Sequence, residues 1–383
     1  MSDAAQIADA ITRELLAQEP TYREGEARVP EEDLRATVHG DVEAVLAHLA
    51  TGQSLDAELR AQREIGERRA EQGLPLESLL RAYQLGAQLT WQRLVDAALE
   101  DPGADLADLL RGGSYLWEVV DQLCIEVATA YRKASAAVAR RKAQRREILF
   151  DALLDGRGAD VTLAREAAVA LFLPVEGPYV VVVSDEPLEF GCEPELALRS
   201  KGMASCWRVR GKRQIGIVAP AHVTAAQFTE TLSPHVVGRA GISPPAAYLG
   251  GVAELVRLAE LALLTVTPGR TEVALFDDNM VGALIVSAPD VARRLADRVL
   301  SPLLALEPTS RTLLIETLRA YFEADGSVAV AAERLFCHRN TVLNRLRRAE
   351  GLMGLDLSRP QDLTTLIVVL ESVRLLPAPT DEA

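Results

Sequence analysis

The sequence is poor in aromatic residues, cysteine and histidine. Aromatics make up 4% of its 383 residues, so any core must be built largely from Leu, Val, Ala and Ile. Four cysteines, Cys124, Cys192, Cys206 and Cys337, stand far apart with no Cys-x-x-Cys pair. That spacing argues against a disulfide scaffold or a zinc knuckle and fits a reducing, cytoplasmic compartment. No run approaches the ~18 uninterrupted apolar residues that a membrane helix needs. The start, MSDAAQIADAITRELL, has no basic segment followed by an apolar run, so it reads as no signal peptide. There is no GxxxxGK[ST] phosphate loop and no GxSxG nucleophile elbow.

What is present is an ordinary globular mixture, 49% hydrophobic and 25% charged, long enough for two to four domains. The net charge of −14 is unevenly placed. Residues 1–130 carry 11 basic against 25 acidic side chains, whereas 131–146 carry 7 basic and no acidic ones. A globally acidic chain does not suggest nucleic-acid binding. Charge is screened within about 10 Å at ordinary salt, however, so a local cationic face can still bind DNA.

Apolar spacing predicts helices throughout residues 1–146. Ile7, Ala10, Ile11 and Leu15 open an amphipathic helix ending before Pro20. Val38, Val42, Val45, Leu46 and Leu49 continue to a stop at Gly52. Leu55, Leu59 and Ile65 follow, ending near Gly73, and Pro75 opens the next helix. After a turn at Asp101-Pro102-Gly103, a long helix runs from about Asp105 to Arg146, with Gly112-Gly113 as a candidate break. Its alanine-rich, basic end from Tyr131 reads as an exposed connecting helix. Residues 147–288 change character. Tyr179–Val183 is a β-branched run typical of a buried strand. Cys206–Arg210 and Arg213–Val218 form a hairpin around Gly211-Lys212. Val236–Ile242 and Val273–Phe276 are further strands, and Ala253–Thr265 is a helix, giving an α/β sandwich. Residues 289–383 return to helix, with Thr309 or Ser310 as one cap and Ser327 as the next. The last helix, Pro360–Leu375, is apolar on most sides and should be buried or meet a partner.

The informative segment is Ser327–Ala349, two short helices joined by a tight turn at Phe336-Cys337-His338. Val342, Leu346 and Ala349 share one face of the second helix and should pack on Ala332 and Leu335. At 100° per residue, Asn340, Asn344, Arg347 and Arg348 then point away, with Thr341 on their edge and Arg339 and Arg345 flanking. From Arg334 to Arg348 there are five arginines and no acid. Amides can pair with adenine and guanidiniums with guanine or phosphate, as a major-groove reader requires. The plainer reading is a solvated charged face on a helical bundle. His338 in the turn can contact phosphate or cap the helix. Cys337 is either a redox switch or a small buried hydrophobe.

The stretch HRNTVLNRLRRAEGLMGLDLSRPQDLTTL resembles the C-terminal domain of the PucR/CdaR family of bacterial transcriptional regulators. It carries that family's His-Arg-Asn-Thr-Val run, a following Arg-Leu and a Gly-Leu-Asp-Leu stretch, and the likeness spans about residues 309–376. The resemblance implies a helix-turn-helix akin to that of factor-for-inversion-stimulation proteins. Where the family most often has Arg then Tyr after Thr-Val, this chain has Leu343 and Asn344, a departure that bears on sequence preference. Gly73-Leu74-Pro75-Leu76 with Leu80-Arg81-Ala82-Tyr83 resembles the helical sensor region of stressosome RsbR-type proteins. RAGISPPAAYLGG and ELVRLAELALLTV resemble the family's degenerate GGDEF-like domain. The implied fold is therefore multidomain α + α/β. It comprises a helical sensor or oligomerisation domain (1–130), a basic connecting helix (131–146), a ferredoxin/GGDEF-like α/β domain (147–288) and a helical helix-turn-helix domain (289–383).

Other side chains are weaker candidates for sites. The hairpin Arg210-Gly211-Lys212-Arg213 is cationic and has none of the carboxylates a diguanylate cyclase turn uses for Mg²⁺. Asp185 and Glu186 could hold a cation or simply end a strand. His39 and His48, nine apart on one helix, are placed near the same face, as haem or metal ligands or as ordinary surface or core histidines. The expected protein is a cytoplasmic, non-enzymatic regulator without metal or cofactor. It binds double-stranded DNA as a homodimer or higher homo-oligomer, because one recognition helix reads only a half-site. A small-molecule effector fits the N-terminal sensor, and no membrane partner is expected. The rivals are a stressosome-like interaction scaffold and a nucleotide-binding enzyme of the GGDEF class.

Overall fold

Apolar residues three and four apart fold the first part of the chain into helices α1 (Ser2–Gln18), α2 (Glu31–Thr51), α3 (Asp56–Glu71) and α4 (Leu76–Glu100). The fifth, α5 (Leu106–Leu154), crosses into the second part. The computed structural model describes residues 2–22, 29–51, 54–101, 103–220 and 223–376; Gly52 and Pro102, expected as a helix stop and a turn, lie outside the described residues. The chain divides into two compact units, 1–145 and 146–383.

In the first unit the buried faces are mostly aliphatic, in keeping with the scarcity of aromatics: Leu15, Leu34, Leu74 and Leu79 in one cluster, Leu116, Val119 and Leu123 in another. Gly66 permits the close approach of α3 to α5, since a Cβ there would meet the Val127 carbonyl at 2.5 Å. Two expectations are corrected. Gly112-Gly113 does not break α5; a Cβ at Gly113 would lie 2.6 Å from the Trp91 ring, so that glycine serves packing. His39 and His48 do not share a face, because nine residues at 100° is half a turn. His39 is half-buried beside Glu43, while buried His48 stacks on Tyr115 at 5.0 Å between centroids. The basic stretch 131–146 is largely exposed but is an uninterrupted part of α5, which continues to Leu154.

The second unit opens with α6 (Val161–Ala170), β1 (Val180–Ser184), α7 (Pro194–Arg199), β2 (Ala204–Arg210), β3 (Arg213–Ala219), α8 (Ala225–Leu232) and β4 (Arg239–Ile242). The succession β1-α7-β2-β3-α8-β4 and the strand order β2-β3-β1-β4 are ferredoxin-like, all antiparallel. Helix α9 (Val252–Leu264) then leads to β5 (Glu272–Leu275), which adds parallel to β4 at the edge. Both faces of β1 are covered. Val181 and Val183 face the end of α5, α6 and α9; Val180 and Val182 face α7 and α8. Three layers explain why the run reads as continuously β-branched rather than alternating. Gly241 lets α9 lie directly on β4, for a Cβ there would come within 2.1 Å of the Ala259 carbonyl. The hairpin turns on Gly211 at φ +64.

Helix α10 (Met280–Ser287) leads into the C-terminal helices α11 (Pro289–Leu304), α12 (Pro308–Glu323), α13 (Val328–Arg334), α14 (Arg339–Met353) and α15 (Pro360–Leu375). Thr309 and Ser310 are not caps. Glu307 holds the cap position and Pro308 begins α12, its φ preset for the first turn. Helix α15 buries Leu366, Val369, Leu370 and Leu375 against α10 and α11, which accounts for its apolar composition. No helix among the described residues is long and apolar enough to cross a membrane.

Candidate nucleic-acid interface

The C-terminal core fixes the orientation of α14. Val342, Leu346 and Ala349 are buried with Ala331 and Ala332 of α13, and Leu335 and Cys337 pack partly against the same cluster. Cys337 is thus a half-buried packing group beside a turn. The chain enters α13 through left-handed Asp325 and Gly326, and Ser327 Oγ accepts the Val330 N–H at 3.4 Å. It enters α14 through His338, whose Nδ1 accepts the Asn340 N–H at 3.3 Å. Gly354, left-handed at φ +68, ends α14.

With that face buried, Arg339, Asn340, Asn344, Arg347 and Arg348 are exposed, as is His338 at the cap; Thr341 and Arg345 are half-buried at the edges. One of the five arginines is occupied: Arg334 Nη1 donates to Glu323 at 3.2 Å. Arg339, Arg345, Arg347 and Arg348 have no ion pair among the described residues. Glu350, at the far end of α14, accepts the Leu357 N–H at 2.9 Å and so braces the following loop. The outer side of α14 therefore carries amides and unpaired guanidiniums on a surface free of carboxylates from Arg339 to Ala349, although the chain as a whole is acidic. Such a surface can bond base edges and phosphates and draws an anion by its local field.

The turn before α14 carries one residue to which the sequence pattern assigns no role, Phe336. It sits in the turn between α13 and α14 in a left-handed conformation (φ +50) and is 96% exposed. A large apolar residue in a tight interhelical turn is itself the signal that was available, since a turn of that conformation favours glycine. Leu343 is half-buried at the boundary of the exposed face.

The other candidates resolve into structure. Asp185 is engaged twice by Arg239, accepting its backbone N–H and its Nε, each at 2.7 Å, so it ties β1 to β4. Gly250 and Gly251 belong to a short 3-10 turn before α9. No group of three or more His, Cys, Asp or Glu side chains placed to hold a metal occurs among the described residues.

Known proteins resemble the two ends of the chain. Residues 5–146 match the RsbT co-antagonist protein RsbRD N-terminal domain, and residues 314–371 match the PucR C-terminal helix-turn-helix domain. An uncharacterised Mycobacterium tuberculosis protein is 38% identical over 86 residues, which is 22% of this chain and 18% of that one. The purine catabolism regulatory protein of Bacillus subtilis is 38% identical over 63 residues, 16% of this chain and 12% of that one. The chain thus spans under a fifth of the length of these two curated relatives. A crystal structure of a regulator of polyketide synthase expression from Bifidobacterium adolescentis aligns at 19% identity and a TM-score of 0.30, covering 60% of this chain and 98% of that one. The chain thus matches an RsbRD N-terminal domain over residues 5–146 and the PucR C-terminal helix-turn-helix domain over residues 314–371.

Proposed function

We propose that this chain is a one-component transcriptional regulator that reads duplex DNA with α14. The observation that carries the reading is the exposed side of that helix: Asn340, Asn344, Arg347 and Arg348 at its centre, Arg339, Thr341 and Arg345 at its edges, and four guanidiniums without an ion pair among the described residues. Asn340 and Asn344 are the base-reading groups; the arginines divide between guanine edges and phosphates, and His338 starts the helix. A homodimer supplies the second half-site. The ferredoxin-like middle domain, GGDEF-like in its sequence, relays or oligomerises rather than catalyses. The RsbRD-type N-terminal unit senses an effector. Free thiols at the four cysteines fit a cytoplasmic setting. The RsbRD match also favours a second reading, an interaction scaffold without DNA function, but that reading leaves the arginine face of α14 without a role.

Titrating the protein with its own upstream DNA at several salt concentrations tests the proposal. Three to four phosphate contacts per subunit, six to eight per dimer, give log affinity against log salt a slope of about −5 to −7. A flat response would refute DNA binding and leave the scaffold. Incubation with GTP and Mg²⁺ should yield no cyclic dinucleotide; turnover would restore the enzymatic alternative.

A further inference from the structure

The helical N-terminal unit holds a cavity that the DNA-reading surface does not use. An apolar chamber of about 70 Å³ lies among α2, α4 and α5, walled by Val42, Leu79 and Val120. It adjoins a cleft of about 500 Å³ between α2 and α3, and Asp41 lines both. Chamber and cleft together are lined by four carboxylates, Asp33, Asp41, Glu58 and Glu64, against two guanidiniums, Arg68 and Arg69.

The pairing among these charges is uneven. Arg69 is fully buried and bonded to Asp33, and it also donates to Gln72 at 2.8 Å; Arg68 approaches the same Asp33 at 3.4 Å. Asp33 thus takes both guanidiniums. Among the described residues Asp41 accepts a hydrogen bond only from a neutral donor, Gln62 Nε2 at 2.7 Å, and Gln62 is itself buried and held by the Tyr83 hydroxyl. Glu58 Oε2 is buried with no hydrogen-bond partner among the described residues. A buried carboxylate without a cation is costly, and the usual resolutions are protonation or a positive ligand. Apolar walls with a few converging polar groups are the general form of a small-molecule site.

We propose that this chamber and cleft bind a small organic monocation, an ammonium group on a compact apolar body, with the head met by Asp41 and Glu58 and the body in the chamber. An anion is disfavoured because Arg69, the cation nearest the chamber, is already matched by Asp33 while Asp41 faces inward beside it. A neutral alcohol could bond Asp41 but would leave its charge uncompensated. That occupancy controls DNA binding rests on the sensor reading above; the site itself does not.

The test uses the full chain and three probe sets of equal carbon skeleton: n-butylammonium and phenethylammonium chlorides, the matching alcohols and the matching carboxylates. Binding is followed by calorimetry and by thermal unfolding. The ammonium probes should bind at least tenfold more tightly than the alcohols and raise the unfolding temperature, and the carboxylates should not bind. Asp41→Asn and, separately, Glu58→Gln should each weaken ammonium binding at least tenfold while circular dichroism keeps the helical signal. Equal binding of alcohols, tighter binding of carboxylates, unchanged ammonium binding in Asp41→Asn, or no ammonium binding at about 10 mM would each overturn the site. DNA affinity with and without the bound ammonium probe is read separately. An unchanged value with calorimetric binding intact upholds the site and refutes the sensor reading alone.

Discussion

The imidazole Nδ1 of His338 accepts the backbone N–H of Asn340 at 3.3 Å, so the residue that closes the interhelical turn also starts the helix that carries the arginines. An N-cap bond of this kind is worth about 1 kcal/mol. His338→Ala should lower the stability of the second unit by that amount in denaturant unfolding. His338→Asn, which supplies another capping acceptor, should restore it. If capping is the whole role, DNA affinity recovers with stability; a persistent loss in His338→Asn would assign the imidazole a phosphate contact.

The unpaired arginines should act mainly through phosphate. Arg345→Ala and Arg348→Ala should each weaken binding to all sequences alike and make the salt slope shallower by about 2 for a dimer. Arg334→Ala should change it little, because Arg334 is held by Glu323. Asn340→Ala, in contrast, should alter base preference, which selection from a randomised duplex pool would read directly.

Leu343 stands half-buried between the packed and exposed sides of α14. Leu343→Arg keeps the stem against the protein and sends the guanidinium outward. The melting temperature should stay nearly unchanged while DNA binding tightens several-fold, as one added contact is worth about 1–3 kcal/mol. A fall of about 2–4 kcal/mol in stability would show that the side chain is part of the core.

Burial pushes the Asp41 carboxyl up to about 6, against the opposing pulls of the Gln62 hydrogen bond and the Arg69 charge. Between about pH 4 and 6 the folded state therefore holds a proton that the unfolded chain has already released. The sign follows: Asp41's contribution favours folding most at low pH and is lost as pH rises from about 4 through about 6. At pH 7 the ionised group costs about 1–3 kcal/mol. Asp41→Asn should stabilise the N-terminal unit at pH 7 by that order and remove the corresponding slope between pH 4 and 6. Unfolding curves across that range check both. Equal slopes in the two proteins would show that Asp41 ionises normally.

Among the glycines of the sheet, Gly241 leaves the least room for a Cβ. Gly241→Ala places a methyl within 2.1 Å of the Ala259 carbonyl, so α9 must lift from β4. The loss should fall at or above the usual overpacking range of about 1–3 kcal/mol. Gly211→Ala, at an open turn with φ +64, should cost less, about 1 kcal/mol of left-handed strain. Comparative thermal unfolding of the two variants gives the ordering.

The sequence by itself determined the local parts. Helical spacing in the first unit, the β-branched run of β1, the Gly-containing hairpin and the alternation of buried apolar and exposed polar positions on α14 follow from period and turn chemistry over a few residues. The face of α14 was legible for the same reason: Val342, Leu346 and Ala349 fix its rotation, and the arginines and asparagines then take the other side. Tertiary structure decided whatever depends on residues distant in the chain. Gly113 fails to break α5 because Trp91 lies against it. Arg334 leaves the set of unpaired arginines because Glu323, eleven residues earlier, comes back to meet it. Asp41, Gln62, Arg69 and Tyr83 come from three helices and read in sequence as ordinary polar positions. Only packing those helices together removes their water, and burial is what turns an aspartate into a group that must find a partner or a proton.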